Sequence, residues 1–359
     1  MSLIATRLQT FRSEVSEFDK NMLRASRYGG LDLFVSQTDS GRSFITPDLI
    51  DKARRSIGIG VEIPVLDYDG DVQVHNVRTC VIADAENTSK LYTVVFATYQ
   101  IGFTIVPTLY HNNEIGYQRD FNRKMYKRLY ALANKLDQGC IAALEANKTQ
   151  VYKDILYYTK TGNVINVPWE MRNEILGDLL PIMYANDYYG QKHIVGNAGI
   201  ESMIRKLAQH GFYNAVNKQL EYAGQIFHFT NNVVNEEGVF ASAFCVEDGN
   251  VGYVTRSGRE YLRGARSNFH EFDIVNMPVL NIPMDSHYYT EVGNQSGIAG
   301  DASADMICHV KEFYGFELDI AFLVSYNSHP ALVANPIMKL DIKASTSDVP
   351  FATPVTVVS

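Results

Sequence analysis

Apolar residues near the start of the chain fall at Ile4, Leu8, Phe11, Val15, Phe18 and Met22, in steps of four and three that make a heptad seam. A terminal helix with such a seam must dock on something, and Tyr28-Gly29-Gly30 is where it is expected to end. Thr46-Pro47 then reads as an N-cap with proline at the first helical position, opening a short helix to about Arg55. From Ile57 to Tyr110 the pattern changes to strands. Val61 to Leu66 and Val72 to Ile82 flank Asp69-Gly70, a two-residue hairpin signal. A second turn, Ala85 to Lys90, leads into Leu91 to Ala97 and Ile101 to Val106, closed by Pro107. A β segment with so little helix has no second layer to bury its apolar face, so it needs a partner surface in this chain or another.

A helical period then returns and persists from Tyr117 to Asn147, with Phe121, Met125, Leu129, Leu132, Leu136 and Cys140 on one narrow stripe. Such a helix spans about 45 Å at 1.5 Å per residue, long for a globular protein. It reads either as a spine that joins parts or as a long core helix with one solvated face. Its other faces carry Arg119, Arg123, Lys124, Lys127 and Arg128 against Asp120, which leaves one end basic. Beyond it, Asn166-Val167-Pro168 is expected to cap a helix reaching about Met183 and interrupted by Pro181. A strand at His193 to Gly196, a helix at Ile200 to Gln209 and strands at Gln225 to Thr230, Val239 to Val246 and Val251 to Thr255 complete a self-contained α/β unit over residues 165–265. Apolar runs at Phe272 to Ile282, Phe316 to Val324 and Ile337 to Ile342 read as strands that return to pack near the long helix.

Composition narrows the classes. The chain has 359 residues, 46% hydrophobic and 20% charged, which is enough for two domains or one elaborated domain with a sizeable core. A net charge of −8 and a pI near 5.6 argue against a protein whose main task is to grip nucleic acid, so any such contact is local. Cys80, Cys140, Cys245 and Cys308 form no CxxC pair and suggest buried thiols, neither a zinc site nor a disulfide framework. Charges interrupt the first residues where a signal peptide needs an apolar core, and no apolar run is long enough to span a bilayer, so neither export by a signal peptide nor a membrane span is expected. The 22 tyrosines suit wet interfaces, although core packing explains them equally well.

Candidate chemistry is sparse. Asp67, Asp69 and Asp71 resemble the start of a calcium loop, but Val72 stands where glycine is needed and Arg78 where glutamate is, so a hairpin turn is the better reading. Gly196-Asn197-Ala198-Gly199 lacks the third glycine of a dinucleotide fingerprint and reads as an ordinary βα turn. Around Ser296 the glycines of a nucleophile elbow are replaced by Asn294 and Ile298, which leaves a surface loop. His193, His228, His270 and His309 show no metal-ligand spacing and read as isolated side chains. No catalytic, cofactor-binding or metal-binding residues are assigned, no cofactor is expected, and the chain is not expected to be an enzyme.

The order of parts, a terminal arm, a long β hairpin, a spine helix, a compact α/β unit and strands that return to the spine, resembles the major capsid proteins of tailed bacteriophages, the lambdoid-phage-type shell fold also called the Johnson fold. Phe121-Asn122-Arg123-Lys124, Ala142-Ala143-Leu144-Glu145 and His193-Ile194-Val195-Gly196-Asn197 reinforce the likeness. The resemblance implies an α+β fold with an N-arm at 1–56, an extended E-loop at 57–112, a peripheral domain at 113–164 and 291–359, and an axial domain at 165–290. It implies a structural head protein that assembles with itself as pentamers and hexamers into an icosahedral shell. That shell would enclose packaged viral DNA without sequence-specific binding, and would be assembled in the bacterial host cytoplasm and carried in the virion. Leu8, Phe11, Val15, Asp69, Gly70 and Lys90 are the implied assembly contacts, with the arm and hairpin burying their apolar faces on neighbouring subunits. Lys90, at the second predicted turn, is either a solubilising residue or, by the resemblance, a donor for a lysine–asparagine crosslink. Many members carry a helical scaffolding segment before the arm, so a separate scaffolding protein, or none, is expected here, alongside portal and decoration proteins and no membrane. An encapsulin-like bacterial compartment shell shares these features, and a soluble two-domain α/β enzyme is the remaining alternative.

Overall fold

In the computed structural model the described residues are 3–14, 28–56, 61–66, 89–110, 113–150, 152–186, 188, 190–208, 213–214, 219–222, 224–256, 270–277, 282–295, 307–325, 327–329, 332–334 and 337–345. Four helices shape the part of the molecule around the spine: α1 (Leu3–Glu14), α2 (Gly29–Asp39), α3 (Pro47–Arg55) and the spine α4 (Glu114–Ala146). The spine runs for 33 residues and is capped by Asn113, whose side chain accepts from Gly116 N at 2.8 Å. All six residues of its predicted stripe are buried, and Tyr117, Ala133, Ile141 and Leu144 extend the same face. Each large apolar side chain of this kind contributes about 1.5–3 kcal/mol on burial, so the stripe anchors the largest core of the molecule.

Two sheets meet that core. Strands β1 (Val61–Leu66) and β2 (Ser89–Val94) form a separate antiparallel ribbon, and β3 (Ala97–Ile105) leads back to the spine. The eight-stranded sheet uses β4 (Thr159–Thr161), β5 (Val164–Val167), β6 (Lys192–Gly196), β7 (Tyr213–Asn214), β8 (Gln219–Tyr222), β9 (Gln225–Phe229), β10 (Val239–Glu247) and the late strand β17 (Ile337–Lys343), in the order β4-β5-β17-β10-β6-β9-β8-β7. It is a wall between two cores. Strand alternation sends Ile194, Cys245, Met338, Leu340 and Ile342 toward α5 (Ile175–Ala185) and α6 (Ala198–Ala208), and sends Val195, Phe244, Val246 and Ile337 toward the spine and α2.

The five-stranded sheet is built on β14 (Ile307–Val324), 18 residues long. One of its edges holds β13 (Pro283–Gln295) and then β11 (Val251–Arg256), while β3 takes the other edge and β12 (His270–Asn276) lies outside β13. Phe103, Ile105, Tyr314, Phe316, Leu318 and Ile320 join the spine core from this sheet. Ala321, Leu323 and Val254 point the other way and are covered by Ile45 and by Leu49 and Ala53 of α3. Two further short strands, β15 (Asn327–His329) and β16 (Leu332–Ala334), pair with each other.

The chain is thus α+β, with arm helix, ribbon, spine, α/β unit and returning strands in the expected order. Several local expectations change. Gly29-Gly30 opens a helix instead of ending one, because α2 enters against other backbone: a Cβ on Gly29 would lie 2.5 Å from Phe229 N, and one on Gly30 would lie 2.9 Å from Asp137 Oδ1. Asn166 and Val167 belong to β5, and the helix expected there begins only at Ile175, with Pro181 inside it. Residues 165–265 are not self-contained. Strand β17 closes their sheet between β10 and β5, and β11 leaves it for the five-stranded sheet. The expectation that Ile337 to Ile342 returns to the long helix holds for one face only, where Ile337 joins the spine core and Lys339 Nζ reaches Glu145 at 3.2 Å.

Candidate assembly surfaces

The terminal helix α1 is seated on its own chain. Leu8 and Phe11 are buried, with the Phe11 ring 5.5 Å from that of Tyr126 on the spine. Arg7 lies 4.5 Å over the Tyr117 ring and pairs with Glu114 at 2.9 Å, and Arg12 donates to the Asn276 carbonyl. The expectation that this seam is buried on a neighbour is therefore corrected for Leu8 and Phe11: the spine supplies an apolar and aromatic partner in the same chain. Val15 lies outside the described residues.

The ribbon is the second predicted contact. Its register runs from Val61 opposite Val94 to Leu66 opposite Ser89, so among the described residues the partner of β1 is β2, not the predicted strand from Val72. Asp69 and Gly70 lie outside the described residues. Lys90 stands inside β2, opposite Val65, and not at a turn. Val61 and Val94 at the ribbon base are buried beside α3, so the base is an intrachain joint. Beyond it, among the described residues, β1 and β2 pair only with each other. A lone two-stranded ribbon is marginal in water.

A third surface has no counterpart in the sequence reading. Where α3 stops covering it, the outer face of the five-stranded sheet carries stacked rings: Tyr289 on Phe313 at 4.6 Å and His287 beside Tyr289 at 6.3 Å. They border a groove of about 500 Å³ whose floor includes Gly102 and Gly315 and whose wall includes Arg128. The outer edge of β3 would present bare carbonyls, but Lys124 donates to Thr104 O at 3.0 Å and Arg128 donates to Gly102 O. Two of the five cations read from the sequence thus cap an edge strand. Period-two alternation could have found the rings, but their stacking needs the register of β13 against β14.

Two buried polar junctions hold the parts in fixed relation. Asp137 on the spine accepts from Leu31 N at 2.8 Å, from Asn232 Nδ2 at 2.6 Å and from Thr230 Oγ1, capping α2 in place of Tyr28, which offers no side-chain cap. Burial raises its carboxyl pKa, and these donors oppose that shift. The second junction joins α2 to the eight-stranded sheet. His193 on β6 and His228 on β9 are not isolated, because Val195 pairs with His228 in the parallel register and places both imidazoles on one face. His193 Nδ1 lies 3.0 Å from His228 Nε2, Gln37 Nε2 lies 3.1 Å from His193 Nε2, and Asp32 and Asp248 close the ends at 3.5 and 3.4 Å. Among the described residues no group of three or more His, Cys, Asp or Glu side chains is placed to hold a metal ion, and no helix is long and apolar enough to cross a membrane.

No protein-family model matches the chain, and no curated protein matches it. Solved structures that it is similar to include chains from phages. A chain of the cyanophage Pam1 capsid asymmetric unit is 12% identical, with 84% of this chain and 88% of that chain covered and a TM-score of 0.44. A chain from Mycobacterium phage Che8 is 11% identical over 83% of this chain and 88% of that one, with a TM-score of 0.42. A chain from Mycobacterium phage Cain is 11% identical over 92% of this chain and 99% of that one, also with a TM-score of 0.42.

Proposed function

We propose that this chain is a shell-forming structural subunit, the major capsid protein of a tailed bacteriophage, which assembles with itself as pentamers and hexamers into an icosahedral shell around packaged DNA. The observation that carries the reading is the ribbon β1–β2. It stands on a buried joint at Val61 and Val94, yet pairs with nothing else among the described residues, in a chain whose two large sheets both pack against the core of a 33-residue spine. A surface that a subunit cannot satisfy alone is what repeated contacts between identical copies supply. The open ring-bearing face of the five-stranded sheet is a second such surface.

In this reading the extended loop reaching a neighbour is the ribbon with the residues between its strands, Asp69, Gly70 and Lys90 along it, whereas β3, inside the expected 57–112, belongs to the five-stranded sheet of its own chain. Val15 continues the arm, while Leu8 and Phe11 support assembly indirectly by fixing α1 to the spine. The peripheral part is the spine with the five-stranded sheet, and the axial part is the eight-stranded sheet with α5 and α6, including β17. The chain acts without catalysis, in a virion capsid assembled in the host cytoplasm, with scaffolding, portal and decoration proteins as partners. Light scattering and electron microscopy of the purified protein test this: capsomers or closed shells are expected. A stable monomer that turns over a small substrate contradicts it.

A further inference from the structure

The spine presents a basic stripe whose one ion pair among the described residues is Arg123 with Asp120 at 3.9 Å. Arg119, Arg123 and Lys127 recur every four residues, about 6 Å apart along the axis, on the side of the helix opposite its buried face, and all three are exposed. Lys124 and Arg128 turn instead toward β3. The nearby acid, Asp120, is engaged by Lys124 at 2.6 Å and stands 3.9 Å from Arg123, while Arg119 and Lys127 have no ion-pair or hydrogen-bond partner among the described residues. The sheet face turned away from the spine carries Glu291 and Glu317 beside Lys311, and Asp319 on that face is paired with Arg256 at 3.1 Å.

We infer that this stripe binds the phosphate backbone of double-stranded DNA, so that the spine side of the subunit faces the packaged nucleic acid. The inference rests on the shell reading above. Duplex DNA is favoured over a second protein by the chemistry of the stripe. No exposed apolar residue lies between Arg119 and Lys127 to act as an anchor, and long unpaired cations are costly to dry out in a protein interface. A phosphate backbone stays hydrated, presents a continuous line of charge and gains from counterion release. An acidic chain of net charge −8 that keeps three exposed cations in register can then hold DNA locally without binding it tightly.

The test uses the full chain and the triple variant Arg119→Gln, Arg123→Gln, Lys127→Gln, with a mixed-sequence DNA duplex titrated over a series of potassium chloride concentrations. Each phosphate neutralised by a protein cation contributes about 0.9 to the steepness of log affinity against log salt, so the variant slope should be shallower by about 2–3. A charge-retaining variant, Arg119→Lys with Arg123→Lys, should keep the slope, and all the proteins should melt alike because the changed positions are exposed. Equal slopes for wild type and triple variant, or no binding by wild type at low salt, overturn the inference. Light scattering on the same samples separates the two readings. Assembled subunits whose DNA slope ignores the stripe overturn the stripe alone, whereas monomers that bind through it support the stripe and overturn the shell. A triple variant that no longer self-associates while keeping the wild-type slope assigns the stripe to a neighbouring copy and also overturns the inference.

Discussion

His193 Nδ1 and His228 Nε2 lie 3.0 Å apart at the join between α2 and the eight-stranded sheet, both side chains buried. The distances admit one consistent set of donors with both rings neutral. His228 Nδ1 points at Asp32, His193 Nδ1 donates to His228 Nε2, and Gln37 Nε2 donates to His193 Nε2 and to Asp248. Gly249 N in turn donates to Gln37 Oε1 at 2.6 Å. A third proton on the pair has no acceptor between the rings.

Acid should therefore loosen this join. Burial, and then the neighbouring His228, lower the His193 pKa from 6.5 to about 4 despite the opposing pull of Asp248. The unfolded chain then binds more protons than the folded one between these values, so stability is full above about pH 6.5 and falls as pH drops toward 4. Denaturant midpoints across that window should decline for wild type and decline less for His193→Gln. An equal decline in both would place the acid response elsewhere.

Asp137 should be among the most sensitive positions of the spine. Replacing it with alanine orphans the Leu31 amide and the Thr230 hydroxyl, at about 1–3 kcal/mol for each donor left buried without an acceptor, while Asn232 Nδ2 keeps Asn134 Oδ1 at 3.1 Å. Gly29→Ala should also destabilise, since its Cβ would meet the Phe229 backbone at 2.5 Å. Thermal melts of the isolated subunit check both, and wild-type melting of either variant would contradict the packing described.

Truncation of the α1 seam should be felt by the single subunit before any assembly. Leu8→Ala is expected to cost about 2–5 kcal/mol and Phe11→Ala about 3–5, because both side chains are buried in the spine core. Urea unfolding of unassembled protein is the measurement. Unchanged subunit stability combined with failed assembly would return these residues to an intersubunit role.

The ribbon should behave in the opposite way. Leu66 and Ser89 are register partners, so residues 67–88 can be replaced by a two-residue turn without disturbing the base at Val61 and Val94. The shortened chain should fold with wild-type stability and fail to assemble. Normal shells from it would show that this loop is not an assembly arm.

Much of the frame was legible because helical and strand periods report burial directly. The stripe from Phe121 to Cys140 marked the spine, and Val61, His193 to Gly196 and Val239 announced their strands. What was hidden depends on long-range register. Gly29-Gly30 looks like a stop until Phe229 and Asp137 are placed against it, and Ile337 to Ile342 cannot reveal from its own residues that it lies between β10 and β5. The histidine pair, 35 residues apart, exists only because β6 and β9 are parallel neighbours. Leu8 and Phe11 carried the right signal, an apolar seam seeking cover, but a seam does not say whether its cover is the same chain or another.

The central claim is self-assembly through the ribbon, and cryo-electron microscopy of the purified full-length protein, alone and co-expressed with candidate scaffolding proteins, tests it most directly. Closed shells of pentamers and hexamers are expected, with density for the β1–β2 ribbon lying on an adjacent subunit. A monodisperse monomer under all of these conditions, or shells in which the ribbon folds back on its own subunit, would contradict it.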